Sequence, residues 1–173
     1  MEKNKLNKAL FLDRDGTINI DYDFVYKIEE FDFIDGIFDL CKKAQDLDYK
    51  IIIVTNQSGI ERGRFTEGDV NILHNYVKDE FLKKGINITD VFICPFKDNS
   101  HPDRKPNPGM LLKAKEKYNL DMSKCIMVGD KERDIEAGIN AGCGRSYLFS
   151  SNLEQTTKAN KIYNDLKKLK EVL

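Results

Sequence analysis

The sequence predicts an α/β fold in which helices cover both faces of a parallel sheet, giving three layers. Short, mostly apolar runs recur along the 173-residue chain, and longer stretches with a helical period of apolar residues lie between them. The runs are continuous instead of alternating with polar residues, which is typical of strands that are buried on both faces. Strands that alternate with helices in this way favour a parallel sheet.

The elements follow one another in a regular order. The predicted strands are Ala9–Leu12, Ile51–Val54, Val91–Cys94, Ile126–Val128 and Ser146–Phe149. The predicted helices are about Ile37–Asp48, Glu67–Lys84, Gly109–Tyr118, Arg133–Ala141 and Leu153–Val172. In the third helix, Asn107 is a plausible N-cap and Pro108 fits the first helical position. His74 falls in an ordinary amphipathic pattern, which favours a surface or packing role over catalysis.

The predicted strands and helices, with their connecting loops, leave too few residues for a second domain. We therefore predict one domain, residues 1–173, with a Rossmann-like sheet and no separate cap domain. About forty residues separate Asp15 from Thr55, and about fifty separate Thr55 from Arg104. Many enzymes close a cap over the site to exclude water and select substrate. Selectivity is here expected to come from three short loops, Asp21–Phe24, Ser58–Arg64 and Lys97–Arg104.

The composition excludes several classes of partner. Hydrophobic residues make up 40% of the chain, charged residues make up 33%, and the formal net charge is -1. No positive field would therefore recruit nucleic acid or an anionic membrane. The initial "MEKNKLNK" has no apolar signal-peptide core, and no segment approaches the roughly 18 apolar residues that span a bilayer. The cysteines, Cys41, Cys94, Cys125 and Cys143, are widely spaced. We expect reduced, mostly buried thiols in a cytoplasmic, monomeric protein.

Carboxylates follow two of the predicted strands. Asp13 and Asp15 follow the first strand, and Asp130 follows the fourth. Ligands of such sheets bind beyond the carboxyl ends of the strands, so we expect these three side chains to lie close together. Residues two apart in an extended segment point to the same side, and neighbouring carboxylates repel unless they share a proton or a divalent cation. A few carboxylates are typical ligands of Mg²⁺, so the pattern predicts a magnesium site.

Hydroxyl and cationic side chains follow other strands that end at the same edge of the sheet, with Thr55 after the second strand and Arg104 and Lys105 in the loop after the third. Thr55 offers a hydroxyl and a backbone N–H to a phosphate oxygen, and Arg104 and Lys105 supply charge that would neutralise a phosphate. Lys131 could contact the substrate. Asp134 could orient Lys131 or a metal-bound water, or simply favour the start of a helix. Each of these residue types is also common in loops that have no binding role. Their concentration at one edge of the sheet nevertheless indicates a phosphate site.

Four short segments resemble the signature motifs of the haloacid dehalogenase superfamily of phosphohydrolases. They are "LFLDRDGT", "IVTNQSG", "RKPNPGM" and "MVGDKERD". The longer segments "DGTINIDYDFVYKIEEFDFIDG" and "TNQSGIERGRFTE" are similar to those of heptose-bisphosphate phosphatases, and histidinol-phosphate phosphatases share much of this pattern. The resemblance extends from about Leu6 to Phe149.

The resemblance implies a role for each matching residue. Asp13 would be the nucleophile that forms an aspartyl-phosphate, and Asp15 would be the general acid and base. Thr55 and Lys105 would steady the transferring phosphoryl group, and Arg104 would recognise the substrate. The implied magnesium ligands are Asp13, Asp130 and the backbone carbonyl of Asp15. The implied sugar-phosphate contacts are Asp21, Tyr22, Asp23, Phe24, Asn56, Gln57, Ser58 and Lys131.

The function that the resemblance implies is magnesium-dependent hydrolysis of the 7-phosphate of D-glycero-D-manno-heptose 1,7-bisphosphate, in the synthesis of a nucleotide-activated heptose for lipopolysaccharide or capsule. One alternative is the same chemistry on histidinol phosphate or another small phosphomonoester. The other is a non-catalytic phosphate-binding protein with the same fold. All the expected catalytic residues are present, which argues against this last alternative. The expected partner is therefore a small sugar phosphate.

Two segments depart from the family pattern. Relatives often carry a structural zinc loop of Cys-x-His and Cys-x-Cys, but here Cys94 is followed by Phe96 where His would stand. His101 and Asp103 stand where the two cysteines would. A structural zinc site needs four good nitrogen or sulfur donors, so this set disfavours zinc. In "DYDFVY", Tyr22, Asp23 and Phe24 replace His, Gly and Tyr. A carboxylate beside a bisphosphate is unfavourable unless it points away, so this loop makes the substrate less certain than the chemistry.

Overall fold

The computed structural model describes residues 5–173, and its framework is one six-stranded sheet. The strands are β1 (Lys8–Leu12), β2 (Tyr49–Asn56), β3 (Ile88–Cys94), β4 (Ile126–Gly129), β5 (Arg145–Phe149) and β6 (Lys161–Tyr163). They are arranged in the order β3-β2-β1-β4-β5-β6, and every neighbouring pair is parallel. The predicted α/β fold with a parallel sheet is confirmed.

Helices pack on both faces of this sheet. They are α1 (Ile37–Asp46), α2 (Glu67–Lys83), α3 (Gly109–Tyr118), α4 (Glu132–Asn140) and α5 (Leu166–Lys170). One hydrophobic core lies under α1, α2 and α5, and a second lies under α3 and α4. Between β1 and β2 the chain forms a 3₁₀ turn and α1, and between β2 and β3 it forms α2. The loops that follow β1 and β2 therefore lie at the carboxyl ends of these strands.

The central strand β1 determines where the first polar side chains go. Its residues are buried alternately in the two cores, with Leu10 and Leu12 on the α2 side and Phe11 on the α3 side. Successive side chains of a strand point to opposite faces. The same alternation continues past the end of β1. Asp13 therefore points to the side of the sheet that carries α3 and α4, and Arg14 points to the side that carries α2.

The prediction of a long final helix over Leu153–Val172 is wrong. After β5 the chain passes through bends and turns, forms β6, and ends in the short helix α5. The segment from 150 to 160 is rich in Ser, Asn and Thr, which compete with helix formation through local hydrogen bonds. Tyr163 packs edge-on against Tyr147 of β5, with ring centroids 5.5 Å apart. Pairing of residues 161–163 with β5 therefore outweighs the helix predicted for this part of the chain.

The other four helices match their predicted ranges to within two residues at each end, but the predicted cap of α3 is wrong. Pro108 occupies the cap position, and the Asn107 side chain makes no capping bond. The Asn107 amide instead donates to the carbonyl oxygens of Asn99 and His101, at 3.1 and 2.9 Å. Asn107 thus fixes the loop that carries Arg104.

Two further expectations concern the whole chain. Among residues 5–173, the structure has no helix with the length and apolar character needed to cross a bilayer. The four cysteines are free thiols, three of them buried and Cys143 half-buried. The prediction that these thiols are mostly buried is therefore confirmed, and their reduced state stays a prediction.

Candidate active site

The polar residues of the motifs meet at the carboxyl ends of β1, β2 and β4. The chain runs from β1 to β2 on one side, whereas β4 lies on the other side of β1. The strand order therefore reverses between β1 and β4, and a crevice at such a reversal is where ligands of parallel sheets bind. A cleft of about 210 Å³ opens there. Its lining residues are Asp13, Asp15, Asp21, Asp23, Phe24, Asn56, Gln57, Ser58, Gly59, Arg104, Lys131 and Arg133.

A buried lysine holds two carboxylates at the base of the cleft. The Lys105 ammonium lies 2.7 Å from Asp13 Oδ1 and 2.7 Å from Asp134 Oδ1, and it donates to the carbonyl of Val54 at 2.8 Å. Its side chain is 1% exposed. Burial disfavours the charge of Lys105, but the two carboxylates more than offset this and raise its pKa. Buried charges are tolerated when they are paired in this way.

Three carboxylates at the base lie close enough to bind one cation. Oxygen atoms of Asp13, Asp130 and Asp134 lie within 4.8 Å of one another. Burial, followed by repulsion from Asp134, raises the pKa of Asp13 and of Asp130. Asp130 Oδ1 is buried without a hydrogen-bond donor among the residues that the structure describes. This oxygen-only, electron-rich donor set fits a hard divalent cation such as Mg²⁺.

Gly16 makes room for this carboxylate cluster. Its φ of +87° is in the left-handed region, and a Cβ built on it would lie 2.2 Å from Asp130 Oδ2. Any side chain here would therefore strain the backbone and collide with Asp130. Glycine at this position therefore allows the "DGT" turn to approach the Asp130 carboxylate closely.

Asp15 has a different environment from Asp13. Arg14 Nη2 lies 2.9 and 3.0 Å from the two Asp15 oxygens, and Arg14 Nε lies 3.2 Å from Oδ1. Asn19 donates to Oδ1 and Gln57 donates to Oδ2, both at 3.0 Å. The sequence suggested that a cation between Asp13 and Asp15 relieves their repulsion. In the structure, the guanidinium of Arg14 balances the charge of Asp15.

The end of β2 forms the wall between the two aspartates. Thr55 is buried, and its hydroxyl accepts a hydrogen bond from Gln57 Nε2 at 2.8 Å. Asn56 bonds both the N–H and the carbonyl of Lys105, at 3.1 and 3.2 Å. The side chains of "TNQ" therefore fix the lysine backbone and one oxygen of Asp15, and they bring the Thr55 hydroxyl beside Gln57.

Charged side chains of both signs surround the mouth of the cleft. Arg104 is held by hydrogen bonds to Asn99 Oδ1 at 2.9 Å and to the Phe96 carbonyl at 3.0 Å. Burial and the nearby Arg133 lower the pKa of Arg104, whereas the carboxylate of Asp130 raises the pKa of Lys131. These three cations, Arg104, Lys131 and Arg133, line the cleft together with the two carboxylates Asp21 and Asp23.

The loop Asp21–Phe24 is anchored from outside the cleft. Asp23 and Phe24 have φ values of 60° and 51°, both left-handed. The ring of Phe24 packs under the guanidinium of Arg64, 4.1 Å from the ring centroid. Tyr22 does not line the cleft: it is 55% exposed, and its hydroxyl donates to Asp32 at 2.8 Å. Of the predicted substrate contacts in this loop, the structure brings Asp21, Asp23 and Phe24 to the cleft.

The three zinc candidates each have another contact. Cys94 is buried at the end of β3, the His101 ring stacks on Phe96 with centroids 4.2 Å apart, and Asp103 pairs with Lys113. Among the described residues, the carboxylate cluster of Asp13, Asp130 and Asp134 is the sole group of three or more candidate ligands that converge. The expectation that zinc is disfavoured stays a prediction.

Sequence reasoning missed three residues of the site. They are Arg14, Asn19 and Arg133. Gly59 also lines the cleft, and it lies within the predicted selectivity loop Ser58–Arg64. The sequence contains one indication that Arg14 belongs to the site. A charged residue between two aspartates after an apolar run must be either exposed or paired. Arg133 follows Asp130 by three residues, and the sequence pattern predicts only that it begins a helix. The one-turn spacing brings it to the same mouth as Lys131.

The fold is an α/β fold with a parallel sheet, and its cleft combines cationic side chains with a cluster of three carboxylates. A model of haloacid dehalogenase-like hydrolases matches residues 4–142. The chain therefore belongs to the haloacid dehalogenase-like hydrolase family, and the predicted resemblance and enzyme class are confirmed.

Individual relatives cover nearly the whole chain. The D-glycero-alpha-D-manno-heptose-1,7-bisphosphate 7-phosphatase of Campylobacter jejuni is 46% identical over 166 residues, which is 96% of this chain and 94% of the relative. The beta counterpart of Helicobacter pylori is 39% identical over 96% of this chain and 95% of the relative. The crystal structure of D,D-heptose 1,7-bisphosphate phosphatase from B. bronchiseptica, complexed with magnesium and phosphate, has a TM-score of 0.85. It is 29% identical and covers 95% of this chain and 97% of that one.

Proposed function

We propose that this protein is a magnesium-dependent phosphatase that hydrolyses the 7-phosphate of D-glycero-D-manno-heptose 1,7-bisphosphate. The observation that carries the proposal is the pairing of Asp13 with the buried Lys105 at the base of a cleft with cations at its mouth. The names of the relatives support the substrate.

Two residues of this chain perform the bond-making steps. An oxygen of Asp13 attacks phosphorus, the ester P–O bond breaks, and the leaving sugar oxygen takes a proton from Asp15. Asp15 then takes a proton from water, whose oxygen attacks the aspartyl-phosphate. Inorganic phosphate leaves, and both carboxylates return to their starting states. Lys105 and Thr55 steady the transferring group, since phosphoryl transfer depends mainly on positioning and charge stabilisation.

The cation would be held by Asp13, Asp130 and the backbone carbonyl of Asp15. When bound, it neutralises charge on the attacking carboxylate and on the phosphate oxygens. Asp134 also belongs to the carboxylate cluster, but its Oδ1 faces Lys105, and its Oδ2 accepts the backbone N–H of Lys131 at 3.0 Å. We therefore assign Asp134 the task of holding Lys105 and the start of α4.

The mouth of the cleft favours a bisphosphate over histidinol phosphate. Arg104, Lys131 and Arg133 supply three positive charges where the far end of a bound sugar phosphate would lie. A second phosphate is attracted to this site, whereas the amine of histidinol phosphate carries a positive charge and is repelled. The carboxylates of Asp21 and Asp23 reduce this preference and give histidinol phosphate its best chance as a second candidate.

The test is phosphate release from purified protein with Mg²⁺, across the alpha and beta heptose bisphosphates and histidinol phosphate. We expect the highest kcat/KM for one of the heptose bisphosphates, and no activity above background for Asp13→Asn. Activity confined to histidinol phosphate would replace the proposed substrate. Absence of turnover on the whole panel would instead support the non-catalytic alternative.

We also propose that the protein acts in the cytoplasm. Four free thiols, three of them fully buried, are typical of a reducing compartment. The partner proposed here is the small sugar phosphate alone, and the monomeric state stays a prediction.

A further inference from the structure

A fully buried arginine connects the proposed acid–base residue to the rest of the fold. Arg14 is 0% exposed, and its guanidinium contacts three groups. Its Nη2 and Nε contact the Asp15 carboxylate at 2.9 to 3.2 Å, its Nη2 donates to the carbonyl of Val25 at 2.6 Å, and its Nη1 lies 3.0 Å from His74 Nε2. Val25 directly follows the loop Asp21–Phe24. One side chain thus contacts Asp15, α2 and the residue that follows the loop Asp21–Phe24, which we call the substrate loop.

His74 contacts Arg14 as a neutral hydrogen-bond acceptor. It is buried on α2, and burial together with the charge of Arg14 lowers its pKa to about 3. The ring is therefore uncharged near neutral pH, and the N–H of Arg14 requires Nε2 to be the acceptor. The other ring nitrogen, Nδ1, has no hydrogen-bond partner among the described residues. The polar contact that justifies an imidazole in this core is the one with Arg14.

We propose that Arg14 and His74 are positioning residues, with His74 aligning the Arg14 guanidinium and Arg14 holding the Asp15 carboxylate toward the leaving oxygen. This inference rests on the proposed phosphatase reaction. The guanidinium is planar and donates in a fixed fork, so its orientation determines the orientation of the carboxylate that it grips. Val25 restrains one nitrogen and His74 restrains the other. Without the acceptor on α2, the fork can rotate and Asp15 loses its alignment, which is costly for proton transfer.

A matched set of substitutions separates positioning from stability. His74→Gln keeps an acceptor near the position of Nε2, His74→Leu removes it at similar volume, and Val77→Ala destabilises the same core one turn away on α2. Arg14→Lys keeps the charge but loses the fork, and it tests the same idea if His74→Leu does not fold.

Leaving-group dependence provides the readout. A sugar alkoxide needs a proton from Asp15 to leave, whereas p-nitrophenolate leaves without one. We expect His74→Leu and Arg14→Lys to lower kcat on the sugar phosphate by roughly 10- to 100-fold with little change in KM. On p-nitrophenyl phosphate, the first turnover in rapid-quench measurements should stay near the wild-type rate. Steady-state turnover should fall, because the water step also needs Asp15. His74→Gln should stay close to wild type.

The outcomes separate the two proposals. If the wild-type protein hydrolyses phosphate esters but His74→Leu behaves like Val77→Ala on both substrates, the positioning role is wrong and the proposed function stands. Equal losses in the first turnover on both substrates would also overturn it, because misalignment of Asp15 predicts unequal losses. If the wild-type protein hydrolyses neither substrate, the proposed function fails and this inference fails with it.

Discussion

The base of the cleft and its mouth are held by different physical means. At the base, Lys105, Asp13 and Asp134 are almost fully buried and are joined by contacts of 2.7 Å. At the mouth, the loop Asp21–Phe24 and Arg133 are largely exposed. A charge removed from the base leaves an unpaired charge in a buried site, whereas a charge removed from the mouth is replaced by water. The chemistry is therefore difficult to change, and the choice of substrate is easy to change.

The largest effect is expected at the base. In Lys105→Met the side chain keeps its bulk but leaves Asp13 and Asp134 without their cation. We expect a loss of about 3–5 kcal/mol in the free energy of unfolding. We also expect kcat to fall on the order of 100- to 1,000-fold. Urea denaturation and steady-state kinetics measure the two effects.

The control for this substitution is Lys113→Met. Lys113 pairs with Asp103 but is 61% exposed, so we expect a change in stability below about 1 kcal/mol. Similar losses in the two variants would mean that the base is no more sensitive than an exposed ion pair.

The carboxylates at the base also predict how stability depends on pH and on Mg²⁺. Because the pKa of Asp13 and that of Asp130 are raised in the folded protein, the folded state binds these protons more tightly than the unfolded chain. Without a cation, their contribution to stability should therefore fall as pH rises from about 4, the pKa of an unfolded aspartate, through the raised values. Mg²⁺ at 100 times its Kd should restore about 2.7 kcal/mol above that range, and less below it, where protons compete.

Thermal unfolding with EDTA and with Mg²⁺, at about pH 5 and about pH 8, checks this prediction. In Asp130→Asn the Mg²⁺ effect should shrink markedly, because one ligand is lost. A stabilisation by Mg²⁺ that is equal at both pH values and unchanged in Asp130→Asn would show that the cation binds elsewhere.

Substitution at the mouth should have a smaller effect of a different kind. Arg133→Ala removes one of the three cations at the opening, and we expect kcat/KM for the bisphosphate to fall about tenfold, mainly through KM. Stability should change by less than about 0.5 kcal/mol, since Arg133 is exposed. Lys124→Ala removes an exposed charge outside the cleft and is the matched control. A fall in kcat without a rise in KM would place Arg133 in the chemistry of the base.

The sequence was sufficient to predict that the carboxylates of Asp13 and Asp130 meet at the base, but it did not predict the pairing of Lys105 with Asp134. Asp13 and Asp130 end neighbouring strands, and parallel strands end at the same edge. The environment of Asp15 was not predictable in this way. Arg14 and His74 are 60 residues apart, and they meet because α2 packs over β1 at one particular depth. No local period or spacing encodes that depth.

At the end of the chain, the local sequence pattern predicts more helix than the structure contains. A lysine- and leucine-rich segment has good helical propensity, yet only Leu166–Lys170 of it is an α-helix. Ile162 and its neighbours instead pair with β5 and extend the sheet. Tertiary pairing outweighs local propensity here, and the vacant edge of β5 is visible only once the strand order is known.

The smallest effect is expected in the substrate loop, where Asp23 combines strain with an unfavourable charge. Its φ of 60° is left-handed, which costs a non-glycine residue on the order of 1 kcal/mol. Asp23→Gly should relieve this strain and raise the free energy of unfolding by less than about 1 kcal/mol, because the added freedom of the unfolded chain offsets part of the gain. It also removes a carboxylate from the lining of the cleft, so kcat/KM for a bisphosphate should rise a few-fold.

Asp23→Asn separates the two causes, because asparagine tolerates the left-handed region about as well as aspartate but carries no charge. We expect Asp23→Asn to reproduce the kinetic gain without the gain in stability. A loss of activity in both variants would show that Asp23 contacts the substrate favourably, through hydroxyl groups of the sugar.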